Sequence, residues 1–240
     1  MNGSAPPPPT GTAALPPGQV ERADFPRFGL GRFARRYAPN LDRVELAIGG
    51  DVARPLTVGA ELLALERVDQ VSDFHCVTTW SRRSVGWSGF RFADFYREVA
   101  VARAGAPADA THVVLQGQDG YRNCLLLEDL LAPDVLLADR VDGRPLGLEH
   151  GGPLRLVAPA HYGYKNVKHL AAIEFRRDRS TYRFPRPYPG LMDHPRARVA
   201  LEERGVGLPG WCFRYLYRPL IGPTVRSFRR AIEEYRAPRR

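Results

Sequence analysis

Short apolar runs with a two-residue alternation, cut by glycine turns, fill the first two thirds of the chain. Residues 44–48 alternate and end in Gly49-Gly50-Asp51, the pattern of a strand and its turn. Residues 56–58 read as a second short strand. Residues 59–65 read as helical, because Leu62, Leu63 and Leu65 fall on one side. Residues 71–80 mix β-branched and aromatic side chains and predict a strand with Cys76 inside it. Phe92, Phe95, Tyr96 and Val99 then recur at helical spacing, predicting a helix whose aromatic face is core. Further strands are predicted over 111–116, 135–138, 154–157 and 170–175. Between them lie a polar turn at 117–121, a helical turn at 128–131 and the hairpin signal Asp142-Gly143.

The last third changes character. Residues 194–205 predict a helix stopped by Gly205. Residues 210–218 interleave aromatics with arginines, and 223–235 predict a final arginine-rich helix. Residues 1–20 are rich in proline, glycine and alanine and predict a disordered tail. Neither G-x-G-x-x-G nor G-x-x-x-x-G-K-[ST] occurs, which disfavours dinucleotide and P-loop folds. The element order predicts an α+β protein: one mixed, mainly antiparallel domain over 21–205, with a helical extension over 206–240.

At 44% hydrophobic and 25% charged, the composition is that of a soluble globular protein. No apolar run is long enough to predict a transmembrane segment. The start lacks a basic segment followed by an apolar one, and Arg35-Arg36 is not followed by an apolar stretch, so a cytoplasmic location is expected. A net charge of +9 would suit nucleic acid. The excess is almost all arginine spread along the chain, however, and only two lysines occur, Lys165 and Lys168. The aromatics of 210–218 would serve nucleic acid or a membrane surface if exposed, or simple packing with arginines left in water.

Three cysteines, Cys76, Cys124 and Cys212, are scattered with no C-x-x-C, which excludes zinc ribbons and thioredoxin-like pairs. Cys124 and Cys212 have apolar neighbours and read as packing positions. Cys76 is followed by Ser81-Arg82-Arg83, and cations lower a thiol's pKa. The plainer reading of Cys76 is a small buried hydrophobe. A second cluster runs from His150-Gly151-Gly152-Pro153-Leu154-Arg155 to Pro159-Ala160-His161-Tyr162-Gly163-Tyr164-Lys165-Asn166-Val167-Lys168. A glycine bend, an asparagine and two lysines suit one anion. Both lysines would face it if the segment is a helical turn, and Arg155 would pair with the same phosphate. Asp119 and Tyr121 are weaker pocket candidates.

Cys76 and this segment together resemble the molybdopterin-binding domain of the sulfite oxidase family, nearest the branch of the bacterial methionine-sulfoxide reductase catalytic subunit. Residues 159–168 match that branch's P-x-x-Y-G-[FY]-K-x-[IV]-K. His150 to Arg155 follows its N-G-x-P-[IL]-R with histidine in place of asparagine, and Asp193-His194-Pro195-Arg196 matches its D-H-P-R. The likeness spans about residues 25–205. It implies a sulfite-oxidase-type fold and a Mo-molybdopterin cofactor, with Cys76 the metal ligand. Arg155, Asn166, Val167 (by its backbone) and Lys168 would hold the pterin phosphate, with His150 a further contact. Oxygen-atom transfer with a small-molecule oxo donor or acceptor is the implied reaction, and Arg82 or Arg83 would attract the substrate. No C-x-x-C-H haem site occurs, so a separate electron-transfer protein is expected, and no nucleic-acid partner. The competing expectation is a basic nucleic-acid or acidic-surface binding module on a metal-free relative of the fold.

Overall fold

In the computed structural model of the chain, residues 14–237 are described. The strands and helices, in chain order, are β1 (Val20–Glu21), β2 (Leu46–Gly50), β3 (Leu56–Val58), β4 (Arg67–His75), β5 (Trp80–Arg91), α1 (Phe92–Phe95), β6 (His112–Gly117), β7 (Arg122–Leu126), α2 (Leu127–Leu130), β8 (Leu136–Val141), β9 (Arg144–Pro145), β10 (Arg155–Val157), β11 (Leu170–Arg176), α3 (Gly210–Tyr217) and α4 (Ile221–Arg236). A π-helical turn, Tyr96–Val101, continues α1.

Two sheets form. In the first, β5 is the spine: β4 pairs along most of its length, β8 along its second half, and β1 at Trp80 and Ser81. β9 and β10 extend it through β8. The second runs β3-β2-β11-β6-β7. Only β1 with β5 and β2 with β11 pair in parallel, so the mixed, mainly antiparallel α+β expectation holds. One buried cluster draws on both sheets, with Leu46, Ile48, Leu115, Ile173 and Phe175 from the second and Phe90, Leu137 and Leu156 from the first. The alternation read in the sequence is the inward face of these strands. Phe92 and Phe95 are fully buried in the same cluster, as their spacing predicted.

Three expectations need correction. The strand predicted over 71–80 is two strands joined by a turn at residues 76–79. The helix predicted over 194–205 does not form. Ala197 and Glu202 take φ of +56° and +55°, which no α-helix contains. The segment is instead tied to the neighbouring loop, with Tyr162 N–H donating to Ala197 O at 3.0 Å and Val199 N–H to Ala160 O at 2.9 Å. Tertiary hydrogen bonds outweigh its local helical pattern. Finally, the disordered tail expected over 1–20 does not hold for residues 16–20, which pack on the Cys76 turn; residues 1–13 lie outside the described residues. Among the described residues no helix is long and apolar enough to cross a membrane.

Candidate active site

The turn between β4 and β5 presents Cys76. Its N–H donates to Trp80 O at 2.8 Å, and Thr79 N–H donates back to Cys76 O at 3.1 Å. Thr79 sits at φ +79°, a value that β-branched residues avoid and that the surrounding structure must enforce. Part of that enforcement comes from the N-terminal segment. Gln19 Nε2 donates to Cys76 O at 3.1 Å, and Ser81 Oγ donates to Gln19 Oε1 at 3.1 Å. Arg204, fully buried, donates to Val77 O at 2.6 Å and to Pro17 O at 2.9 Å, clamping both segments together.

Cys76 is 6% exposed and lines a cavity. Its Sγ lies 3.1 Å from Thr78 Oγ1. Burial pushes the thiol pKa up, while the Thr78 hydrogen bonds and the charges of Arg204 and Lys168 pull it down. Arg82 and Arg83, the cations expected beside the thiol, do not line the cavity, and Arg83 Nε lies 3.6 Å from Asp73. Arg204, 128 positions further on, takes that place. Sequence order gave no signal of it.

The 159–168 segment packs directly on the Cys76 strand. Gly163 N–H donates to His75 O at 2.7 Å. A Cβ at Gly163 would lie 2.3 Å from the Phe74 ring, so only glycine allows this approach. Asn166 lines the cavity, but its side chain holds the loop: Oδ1 accepts from Ala158 N–H, and Nδ2 donates to the carbonyls of Ala158, His161 and Tyr162. Val167 is fully buried; its N–H donates to Lys165 O and its carbonyl accepts from Leu156 N–H.

The two lysines do not face one anion. Lys165 points away from the cavity, donating to Cys124 O at 2.9 Å and to Asp193 Oδ1 at 3.1 Å. Asp193, the first residue of the D-H-P-R motif, is its counterion and also pairs with Arg179. Lys168 lines the cavity, its ammonium resting on Phe28 O and Glu149 O at 3.3 Å each. Burial chiefly, then Arg155 and Arg27, lower its pKa to about 7, against Asp119 and Cys76, which raise it.

Arg155 is fully buried beside the cavity wall, 4.9 Å from the Trp87 ring centre and 5.6 Å from that of Phe74. Its Nη1 donates to His150 O at 2.9 Å, and its Nη2 has no acceptor. Burial lowers its pKa to about 9, so it keeps its charge at neutral pH. His150 stacks near Phe25 and is not in the cavity wall. Burial and the neighbouring cations lower both His150 and His169 to about 4, leaving them neutral. Asp119 and Tyr121 do line the cavity. Burial raises the Asp119 pKa, whereas the Tyr121 hydroxyl is committed to Tyr164 O. The 25–33 loop completes the wall and includes Arg27 and Phe28, around which the family resemblance implies further pterin contacts; Tyr217, Leu220, Thr224 and Phe228 of the C-terminal helices also line it and were not legible as site residues.

The chemistry of this wall fits a molybdopterin. No cluster of three metal-ligating side chains occurs among the described residues, so a metal at Cys76 must bring most of its ligands with it. A dithiolene-bound metal does so, and its softness suits a thiolate. In the wall, the buried Trp80 Nε1 lacks an acceptor on the protein, and Lys168 lies under the charges of Arg155 and Arg27, which lower its pKa. A phosphate- and carbonyl-rich group would supply what both lack.

The model of the oxidoreductase molybdopterin binding domain family matches residues 35–184. The uncharacterized oxidoreductase YuiH of Bacillus subtilis is 34% identical over 165 residues, covering 68% of this chain and 80% of that protein. The protein-methionine-sulfoxide reductase catalytic subunit MsrP of Xanthomonas axonopodis is 28% identical, covering 73% of this chain and 62% of its own length. A solved chain of the sulfane dehydrogenase SoxCD from Paracoccus pantotrophus aligns with a TM-score of 0.49 at 23% identity, covering 69% of this chain and 44% of that one, a likeness too slight to carry weight. With the domain match spanning more than half the sequence and the cavity furnished for the cofactor, the chain belongs to the oxidoreductase molybdopterin-binding domain family, the sulfite oxidase type of molybdenum oxidoreductase.

Proposed function

We propose that the chain catalyses oxygen-atom transfer to or from a small sulfur-containing substrate, with Cys76 as the protein's ligand to molybdenum. Lys168 and Arg155 hold the pterin phosphate, and Asn166, Val167 and His150 shape the loop and strand that carry them. One observation carries this reading: a single cavity has the Cys76 thiol in one wall and the incompletely neutralised Lys168 ammonium in another.

Bound molybdenum supplies a two-electron redox centre at which an oxygen atom is gained or lost. The chain does the rest. Against the burial that raises its pKa, Thr78 Oγ1 and Arg204 favour negative charge on the Cys76 sulfur, the thiolate form that would hold the metal. Gln19 and Arg204 fix the turn that aims it. Lys168 is anchored by two carbonyls and positions an anion. Phe28, Trp80, Tyr217 and Phe228 give the cavity apolar walls that limit water. Reduction of a sulfoxide consumes two protons and two electrons and releases water. The Asp119 carboxyl, held upward in pKa by burial, is placed to hold one of those protons at the cavity wall.

The methionine-sulfoxide reductase relative favours a sulfoxide as substrate, and its description as a catalytic subunit fits a separate electron-transfer protein. The test is metal analysis of protein purified from a host that makes the cofactor, followed by turnover with a small sulfoxide and a reduced dye. About one molybdenum per chain with sulfoxide reduction is expected, since a tightly held metal copurifies. A molybdenum-free preparation, or a loaded one inert toward both sulfoxide and sulfite, would overturn the reading.

A further inference from the structure

The C-terminal helices carry two faces, and the cavity uses the inner one, reaching the outer only at Leu220. On α3, Phe213 and Tyr217 turn inward and are buried, so packing is satisfied by them. The opposite side is apolar too. Val206, Leu208, Trp211, Tyr215, Leu216 and Leu220 are between 37% and 73% exposed. These are six of the thirteen large hydrophobic side chains exposed among the described residues, gathered within fifteen positions. Trp211 and Tyr215, one turn apart on α3, bring their ring centres within 6.5 Å, and Val206 and Leu208 lie just before the helix. Exposed apolar side chains gathered so closely along one stretch point to an interaction surface, unlike singly scattered surface hydrophobics.

Charge identifies what it meets. From Gly205 to the end of α4 at Arg236 the sequence has six arginines and two acidic residues, Glu233 and Glu234, of which Glu234 pairs with Arg35. Arg214 is paired with Glu202 and Arg218 reaches Thr79 Oγ1, whereas Arg226, Arg229 and Arg230 are exposed on the outward face of α4. Val225, Phe228, Ala231 and Ile232 occupy its inward face. Trp and Tyr prefer the boundary between hydrocarbon and headgroup, leucines reach below it, and arginine stems lie along it with their heads at phosphate. A nucleic acid would use the aromatics and arginines but offers nothing to the exposed leucines and valine.

We propose that the outward face of α3 and α4 docks on an anionic lipid bilayer, peripherally and without crossing it. Tyr217, Leu220, Thr224 and Phe228 of the same helices line the cavity. A docked chain therefore holds the cavity wall close to the lipid surface. This is independent of whether the cavity is loaded.

The experiment is co-flotation of the full chain with vesicles of phosphatidylcholine alone or mixed equally with phosphatidylglycerol, read together with tryptophan emission. Trp80 and Trp87 are 2% and 1% exposed, so an emission change on binding reports Trp211. Binding to the anionic vesicles with a blue shift, lost in salt, is expected. Trp211→Ala with Tyr215→Ala should abolish flotation. Arg226→Glu with Arg230→Glu should weaken it by roughly tenfold or more, because each basic side chain near such a surface contributes measurably. Near-UV circular dichroism confirms that both variants remain folded. Absence of flotation, or flotation untouched by either pair, overturns the proposal. So does a wild-type chain that instead dimerises through this patch, seen as a concentration-dependent mass that Trp211→Ala restores to monomer, or one that binds nucleic acid through it but not vesicles.

Discussion

Lys165 and Lys168 stand three residues apart on one loop and live in opposite electrostatic worlds. Lys165 is buried behind the loop with its charge answered by Asp193, both side chains being at most 4% exposed. Lys168 is in the cavity wall, resting on two carbonyls, with Arg155 and Arg27 lowering its pKa and Asp119 raising it. The first is a closed account of charge and builds the fold. The second is left open, and an open cationic site next to a thiol is what an anionic metal cofactor requires. Identical side chains at close spacing thus differ by what faces them: one is closed in an ion pair, the other faces the cavity.

Breaking the closed pair should produce the largest effect. Lys165→Met leaves the Asp193 carboxylate buried with Arg179 as its remaining partner. Stability should fall by roughly 3 kcal/mol, the low end for removing one member of a buried pair. Urea denaturation of the cofactor-free chain measures it, and an unchanged midpoint would contradict the structural role.

Lys168→Met should do the reverse. It relieves crowding with Arg27 and Arg155, so cofactor-free stability should hold or rise. Cofactor retention should drop about tenfold to a hundredfold, as expected for losing a charge-assisted hydrogen bond of about 1.5–3 kcal/mol. Molybdenum remaining after extended dialysis reports it. Arg155→Met should weaken retention likewise, but with some loss of stability, since its side chain fills the space beside Trp87.

Truncation sharpens the contrast on the far side of the cavity. Removing residues 1–13 should change little. Removing 1–20 takes away the Gln19 hydrogen bonds and the Pro17 carbonyl under Arg204, costing about 1–2 kcal/mol and loosening the Cys76 turn. Equal melting temperatures for the two truncations would show that the turn needs no such support.

A further contrast lies in pH. Both ammoniums titrate below free lysine, Lys168 at about 7 and Lys165 at about 8. Above these values the native chain binds fewer protons than the unfolded one, so stability should rise with pH, by at most about 1.4 kcal/mol per unit for each group. The rise should run from about pH 7 until thiol ionisation in the unfolded chain intervenes near 9. In Lys168→Met the rise should begin later, near 8. A slope identical to wild type would deny the perturbed Lys168.

Much of the fold was legible because its strands alternate and their inward faces make the core. The residues that line the candidate cavity were legible where chemistry is concentrated in short motifs: Cys76, Lys168 and the glycine of 159–168. The rest was written in tertiary terms. Val77, Thr78 and Thr79 have strand preferences, yet they form the turn, because Gln19, Trp80 and Arg204 hold it from distant parts of the chain. Lys165 looked like a ligand group until Asp193, 28 positions on, was found beside it. Residues 194–205 have a helical pattern that the Ala160–Tyr162 edge overrides. Trp211 and Phe213 read alike in sequence, but Trp211 is exposed and Phe213 buried, and Cys212 between them is half-buried.

Cys76 bears the central claim, and comparison with Cys124 tests it most directly. Both thiols are buried, both have pKa values pushed up by burial, and only Cys76 lines the cavity. Molybdenum content, the visible absorption bands and sulfoxide turnover should be measured on Cys76→Ser and Cys124→Ser side by side. The account predicts that Cys76→Ser retains much of its cofactor through Lys168 and Arg155, with altered bands and no turnover, because a serine hydroxyl is a hard, protonated substitute for a soft thiolate. Cys124→Ser should lose about 1–3 kcal/mol of stability and keep its bands and turnover. Unaltered bands and activity in Cys76→Ser would contradict the account at its root.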